Sequence, residues 1–167
     1  MTIDIRRLRD QLPQEIADLE SEARREGYRH IARLIDEWST GDIKFERDGE
    51  SLLGAYVDGA LVGIGGMTVD PAMSGALRMR RFYIRPAMRG RRIGRMLALA
   101  LFDHARSRCG IVTVHAGNDG AARFWESLGF QPHGRDGHTH LFALHGVGHS
   151  DDPAASNLRQ CVTPRSP

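Results

Sequence analysis

A chain of 167 residues, 41% apolar and 26% charged, is long enough to bury one substantial core and gives no reason to expect a second domain. No run of about 18 apolar residues argues for a membrane span, and the opening MTIDIRRLRD lacks the apolar stretch of a secretory signal, so a cytoplasmic protein is expected. Cys109 and Cys161 lie far apart and without ligand spacing, which speaks against a disulfide framework and against a bound metal.

The first elements alternate in type. Ile3 and Ile5 sit among polar residues, which predicts a strand over residues 2–8. Pro13 opens a helical pattern: Ile16, Leu19 and Ala23, then Ile31, Leu34, Ile35 and Trp38, recur at three- and four-residue steps. Gly27 divides that pattern into two helices, and Gly41 and Asp42 end it. Asp58-Gly59 joins two apolar runs, 52–57 and 60–69, as a hairpin. Gly63, Gly65 and Gly66 inside the second run mark a bulge or a close backbone approach.

A loop over 70–75 leads to a strand over 76–84, stopped by Pro86. Residues 93–105 form a strongly apolar helix whose buried stripe is Ile93, Met96, Leu97, Ala100, Leu101 and Ala105, widened by Leu99 and Phe102. A short strand over 111–116 precedes a helix capped by Asn118 or Asp119, running to Leu128 and closed by Gly129. Residues 130–135 and 138–145 read as a final strand pair around Asp136-Gly137. The region 1–145 is thus expected to be one domain, and the Gly-, Ser-, Asp- and Pro-rich residues 146–167 a disordered tail. The order β-α-α-β-β-β-α-β-α-β-β predicts an α/β fold of the α+β kind. Its mixed, mostly antiparallel sheet would hold about six or seven strands, flanked by helices.

Net charge is only +2, yet 22 of the 23 basic residues are arginine, Lys44 being the sole lysine. Eight arginines fall between Arg78 and Arg95. Within that stretch a strand ends at Phe82-Tyr83-Ile84, and Arg89-Gly90-Arg91-Arg92-Ile93-Gly94-Arg95 turns into the buried helix. A helix start leaves amides unpaired and carries positive partial charge. Gly90 and Gly94 admit a close ligand, and the guanidiniums add donors, so the turn suits a phosphate or pyrophosphate. It is neither a P-loop nor a dinucleotide fingerprint, because both spacings are missing.

Taken with the downstream run Asn118, Ala121, Phe124, Glu126, Gly129 and Phe130, this turn resembles the motifs of the GNAT superfamily of N-acetyltransferases. Arg89 and Gly94 match an [Arg/Gln]-x-x-Gly-x-[Gly/Ala] turn, and the second run matches Asn-x-x-Ala-x-x-Phe/Leu-Tyr-Glu-x-x-Gly-Phe. The resemblance implies a GNAT-like fold and acetyl-CoA as acyl donor. The turn from Arg89 to Arg95 would hold the pyrophosphate. Phe82, Tyr83 and Ile84 would offer backbone groups to the pantetheine arm. Asn118, Ala121, Phe124 and Trp125 would also face the cofactor. A primary amine on a small molecule or peptide would then attack the thioester directly.

Two departures stand out. Arg92 occupies a turn position that is usually glycine, and it is expected to point to solvent. Trp125 replaces the tyrosine that commonly protonates the leaving thiolate, and an indole N–H is no acid at neutral pH. The strand before the turn carries Arg78, Arg80 and Arg81 where some members carry a glutamate base. Candidate catalytic groups are therefore Glu50, His115 and Tyr83. A non-catalytic acyl-CoA-binding module is the alternative. Nucleic-acid binding is disfavoured by the low net charge and by the lack of aromatic residues within the Arg89–Arg95 turn, and no membrane partner is expected. A homodimer is compatible with such a fold.

Overall fold

The computed structural model describes residues 1–135 and 137–144. Seven strands and four helices follow the expected order. They are β1 (Ile3–Arg7), α1 (Ile16–Arg25), α2 (His30–Thr40), β2 (Ser51–Val57), β3 (Ala60–Val69), β4 (Leu77–Ile84), α3 (Ile93–Ala105), β5 (Ile111–Val114), α4 (Asp119–Ser127), β6 (Gln131–Arg135) and β7 (His138–Ala143). Asp58 and Gly59 take φ +48° and +84°, the turn that Asp-Gly favours between twisted strands. Gly41 ends α2 at φ +81°, and Gly129 follows α4 at φ +105°, so both glycines stop helices as their positions suggested.

The strands form one sheet in the order β1-β2-β3-β4-β5-β7-β6. Every neighbouring pair is antiparallel except β4 and β5, which the crossover through α3 makes parallel. The sheet is therefore mixed and mostly antiparallel, as expected. Helices α1 and α2 cover one face, where Leu19, Ile31, Leu34 and Trp38 meet Leu52, Tyr56, Leu61, Ile64 and Tyr83. Helices α3 and α4 cover the other, where Leu97, Leu101, Phe102 and Trp125 meet Leu53, Val62, Met67 and Met79. Strands β2 and β3 are buried on both faces, which explains their continuous rather than alternating hydrophobicity.

Two expectations need correction. Met96 and Leu99 lie outside the buried stripe of α3 and are 40% and 38% exposed, because the helix meets the sheet through Ile93, Leu97, Ala98, Leu101, Phe102 and Ala105. The last strand ends at Ala143. His145 and the expected tail over 146–167 lie outside the described residues.

Candidate functional site

Strand β4 pairs with β5 only at Leu77 and Arg78. From Met79 to Ile84 it has no partner on that side among the described residues, so the two strands part and leave a gap. The cause is local. The register between β3 and β4 slips between Ile64 and Gly66, opposite Arg81, which takes φ +55°. This bulge bends β4 away and reverses its alternation. Met79 faces the α3 side before the bulge, whereas Phe82 and Ile84 face that side after it. Tyr83 is thereby sent to the α1 and α2 side.

The backbone of β4 beyond the bulge is exposed to the gap. Arg85 N–H donates to Val62 O at 2.9 Å, so by alternation Tyr83 faces β3, and the amides and carbonyls of Phe82 and Ile84 face the gap. Both carbonyls are already engaged by side chains. Arg89 Nε donates to Ile84 O at 3.0 Å, and His30 Nε2 lies 3.1 Å from Phe82 O. A carbonyl only accepts, so His30 carries its proton on Nε2 and presents a lone pair on Nδ1. Burial lowers the pKa of His30, and the charges of Arg81 and Arg33 push the same way, against the opposing Phe82 carbonyl and Glu26 carboxylate. The imidazole is thus held neutral. Tyr28 and Tyr83 flank it edge-on, with ring centroids at 5.6 and 5.7 Å.

The mouth of the gap is bridged. Asn118 Oδ1 accepts the Ala121 N–H at 2.8 Å and so caps α4, while its Nδ2 donates to Tyr28 Oη at 2.9 Å. Both ends of this amide are engaged, one of them across the opening to the α1–α2 loop. A ring cluster lines the gap on the α4 side. Phe82 stands 4.9 Å from Trp125 and 5.6 Å from Phe124. Trp125 is only 4% exposed, a core residue at the position where the resemblance expected an acid.

The turn into α3 has the expected electrostatics and one surprise. Gly90 takes φ +75°, and α3 starts without a side-chain cap or an acidic residue in its first turn. Its first amides therefore point outward unpaired, among the exposed guanidiniums of Arg91, Arg92 and Arg95. Gly94 packs closely, since a Cβ there would come within 3.3 Å of the Phe124 ring and 3.5 Å of Ile84. Arg92 adopts φ +64°, which explains why glycine is usual at this position: the arginine bears left-handed strain.

Arg89 is not free. Its Nη1 and Nη2 grip Glu26 at 2.7 and 2.8 Å, and Tyr83 Oη donates to the same carboxylate at 2.7 Å. Arg89, with Tyr83 helping, holds Glu26 below the usual carboxylate range. Burial and Glu26 push the Tyr83 phenol far above its ordinary value. Tyr83 therefore points toward the end of α1 and keeps its proton, which removes it from the catalytic candidates. Glu50 is also displaced. Its carboxylate accepts from Arg47 N–H at 3.1 Å and Val69 N–H at 2.9 Å, at the closed end where β3 hands over to β4. There it ties a loop to the sheet, the length of a strand from the gap. His115 is exposed just past β5.

The structure thus gathers Phe82, Ile84, Arg89–Gly94, Asn118, Phe124 and Trp125 around one opening, and adds Tyr28, His30 and Glu26. No sequence signal marks these last three, since His30 and Glu26 meet β4 across 52 and 57 residues and Tyr28 meets Asn118 across 90. Residues 13–130 match the model of the acetyltransferase (GNAT) family. The chain belongs to the acetyltransferase (GNAT) family. No curated protein matches it.

Solved structures share the family's fold. A presumed acetyltransferase of Exiguobacterium sp. 255-15 superposes with a TM-score of 0.77 at 22% identity, covering 86% of this chain and 94% of its own. The PaiA N-acetyltransferase of Thermoplasma acidophilum, in complex with coenzyme A, gives 0.57 at 21% identity over 84% and 97% of the two chains. An aminoglycoside 6'-N-acetyltransferase, also complexed with coenzyme A, gives 0.64 at 13% identity over 87% and 99%. Family membership implies an acyltransferase that binds an acyl-CoA. Among the described residues no helix is long and apolar enough to cross a membrane.

Proposed function

We propose that this protein transfers an acetyl group from acetyl-CoA to a primary amine by direct attack, with no covalent enzyme intermediate. One observation carries the reading: the parted strands β4 and β5 open beside an uncapped, carboxylate-free helix start. The amides from Gly90 to Gly94 suit a diphosphate. The gap suits an extended arm, and the outward N–H groups of Phe82 and Ile84 are the donors that would polarise a thioester carbonyl. His30 would accept the proton of the attacking amine on Nδ1, because its Nε2 is committed to the Phe82 carbonyl. Trp125 supplies no acid, so the thiol leaves as thiolate, aided by its pKa near 8.5.

Titration calorimetry with acetyl-CoA tests the binding half, with micromolar or tighter affinity expected. Release of free thiol in the presence of an amine panel tests the transfer. The buried Trp125 favours one second reading, a binding module without turnover. That reading predicts the same calorimetry and no amine-dependent thiol release.

A further inference from the structure

Three guanidiniums stand in succession on β4, and they are not equivalent. Arg78 pairs with Asp70 at 3.1 Å. Arg81 pairs with Glu37 through two nitrogens, at 2.6 and 3.2 Å. Arg80, between them, donates from Nε to Thr68 Oγ1 at 2.7 Å, and its two Nη groups have no partner among the described residues. It is half-buried. The nearby carboxylates cannot serve it: Glu37 is engaged by Arg81, and Asp70 by Arg78, Thr113 and two loop amides. Burial and the two flanking arginines lower the pKa of Arg80, outweighing the opposing charges of Glu37 and Asp70, which are hydrogen-bonded elsewhere.

Its place in the fold matters as much as its charge. Arg80 lies opposite Gly66, whose missing side chain would point at Phe45, so both occupy the α1 and α2 face. It belongs to the segment of β4 that β5 leaves unpaired. Phe82, whose carbonyl holds His30, is two residues farther on, just past the bulge at Arg81. A partly desolvated arginine fork is matched best by a carboxylate, which it can bind bidentately.

We propose that Arg80 receives the carboxylate of the acceptor, and that the acceptor class is therefore an amine that also bears a carboxylate, such as a free amino acid. The inference rests on the acetyl-transfer reading above. Arg80 orients the acceptor so that its amine meets His30 Nδ1, and it takes no part in proton transfer.

The experiment compares amino acids with their carboxamides, in which the amine is kept and the charge removed. Acetyl-CoA-dependent thiol release should favour the acids in kcat/KM by about tenfold or more. Arg80→Gln should erase that preference by raising KM for the acids far more than for the carboxamides. Arg80→Lys should restore part of it, as a charge without a fork. A binding arm needs no turnover. N-acetylated amino acids should bind the CoA-loaded protein in calorimetry, their amides weakly, and Arg80→Gln should abolish the difference. Unaltered CoA affinity in both variants certifies folding. Equal treatment of acids and amides by the native protein in both arms, or a preference that survives Arg80→Gln, overturns the proposal. Absence of CoA binding would instead sink the transfer reading itself.

Discussion

The two ends of β4 are built differently. At Leu77 and Arg78 the strand has neighbours on both sides. Asp70, 4% exposed, knits that end by accepting from Thr113 Oγ1 at 2.5 Å, from Arg78 at 3.1 Å and from the amides of Ala72 and Met73 at 2.8 and 3.0 Å. At Phe82 and Ile84 the strand has a neighbour on one side only, and side chains from α2 and the following turn engage the carbonyls. The closed end uses a buried carboxylate with several hydrogen-bond donors to fix the sheet. The open end leaves amides and one lone pair unpaired in a place where unpaired groups are costly. Stability should therefore be concentrated at one end and chemistry at the other.

Changes at Asp70 should break the contrast most strongly. Asp70→Ala removes a buried carboxylate that accepts from Arg78, Thr113 and two loop amides, and is expected to cost about 3–5 kcal/mol in urea unfolding. Its carboxyl is held below the ordinary value, the bonds from Thr113 and the loop amides outweighing the opposing effect of burial. The stabilisation is thus complete above the unfolded-state value of 3.8 and is lost as pH falls through the lower folded value. Acid titration of the melting temperature checks this, and a variant as stable as the native protein at pH 7 would contradict it.

At the open end the expected loss is in rate. His30→Gln keeps a donor for the Phe82 carbonyl but has no basic lone pair. It should lower kcat about a hundredfold while leaving acetyl-CoA affinity within about twofold. Because the pKa of His30 is lowered, the acid limb of kcat/KM should fall below the ordinary histidine value of 6.5 and vanish in the variant. An unshifted pH profile in His30→Gln would assign the proton transfer elsewhere.

Smaller effects sharpen the boundary. Arg92→Gly relieves a left-handed φ and should raise stability by about 0.5–1 kcal/mol, read as a higher melting temperature. Tyr28→Phe removes one exposed hydrogen bond across the mouth and should speed CoA dissociation two- to fivefold in stopped flow, with little change in melting temperature.

What the sequence revealed followed local rules. Helix α3 spans the expected residues because apolar periodicity and the Gly-Arg turn mark both of its ends. The β2–β3 hairpin was legible in two residues, Asp58 and Gly59, whose backbone preference is intrinsic. The turn into α3 was legible for the same reason, with Gly90 at φ +75°. The bulge at Arg81 was not, since arginine gives no warning of a positive φ, and without it the side of the sheet that Tyr83 packs on cannot be assigned. Glu50 looked available because a carboxylate before a strand reads the same whether or not distant amides claim it. His30 and Tyr28 act only through chain segments far away, so no spacing rule could find them.

The double engagement of Asn118 links two dimensions of the molecule that are usually independent. Its oxygen decides where α4 begins, and its nitrogen decides how far the α1–α2 loop stands from β5. An aspartate there would keep the helix start and lose the crossing donor, loosening the doorway alone. A glycine would loosen both. One amide side chain therefore acts as a caliper, setting the width of the entrance from the end of a helix.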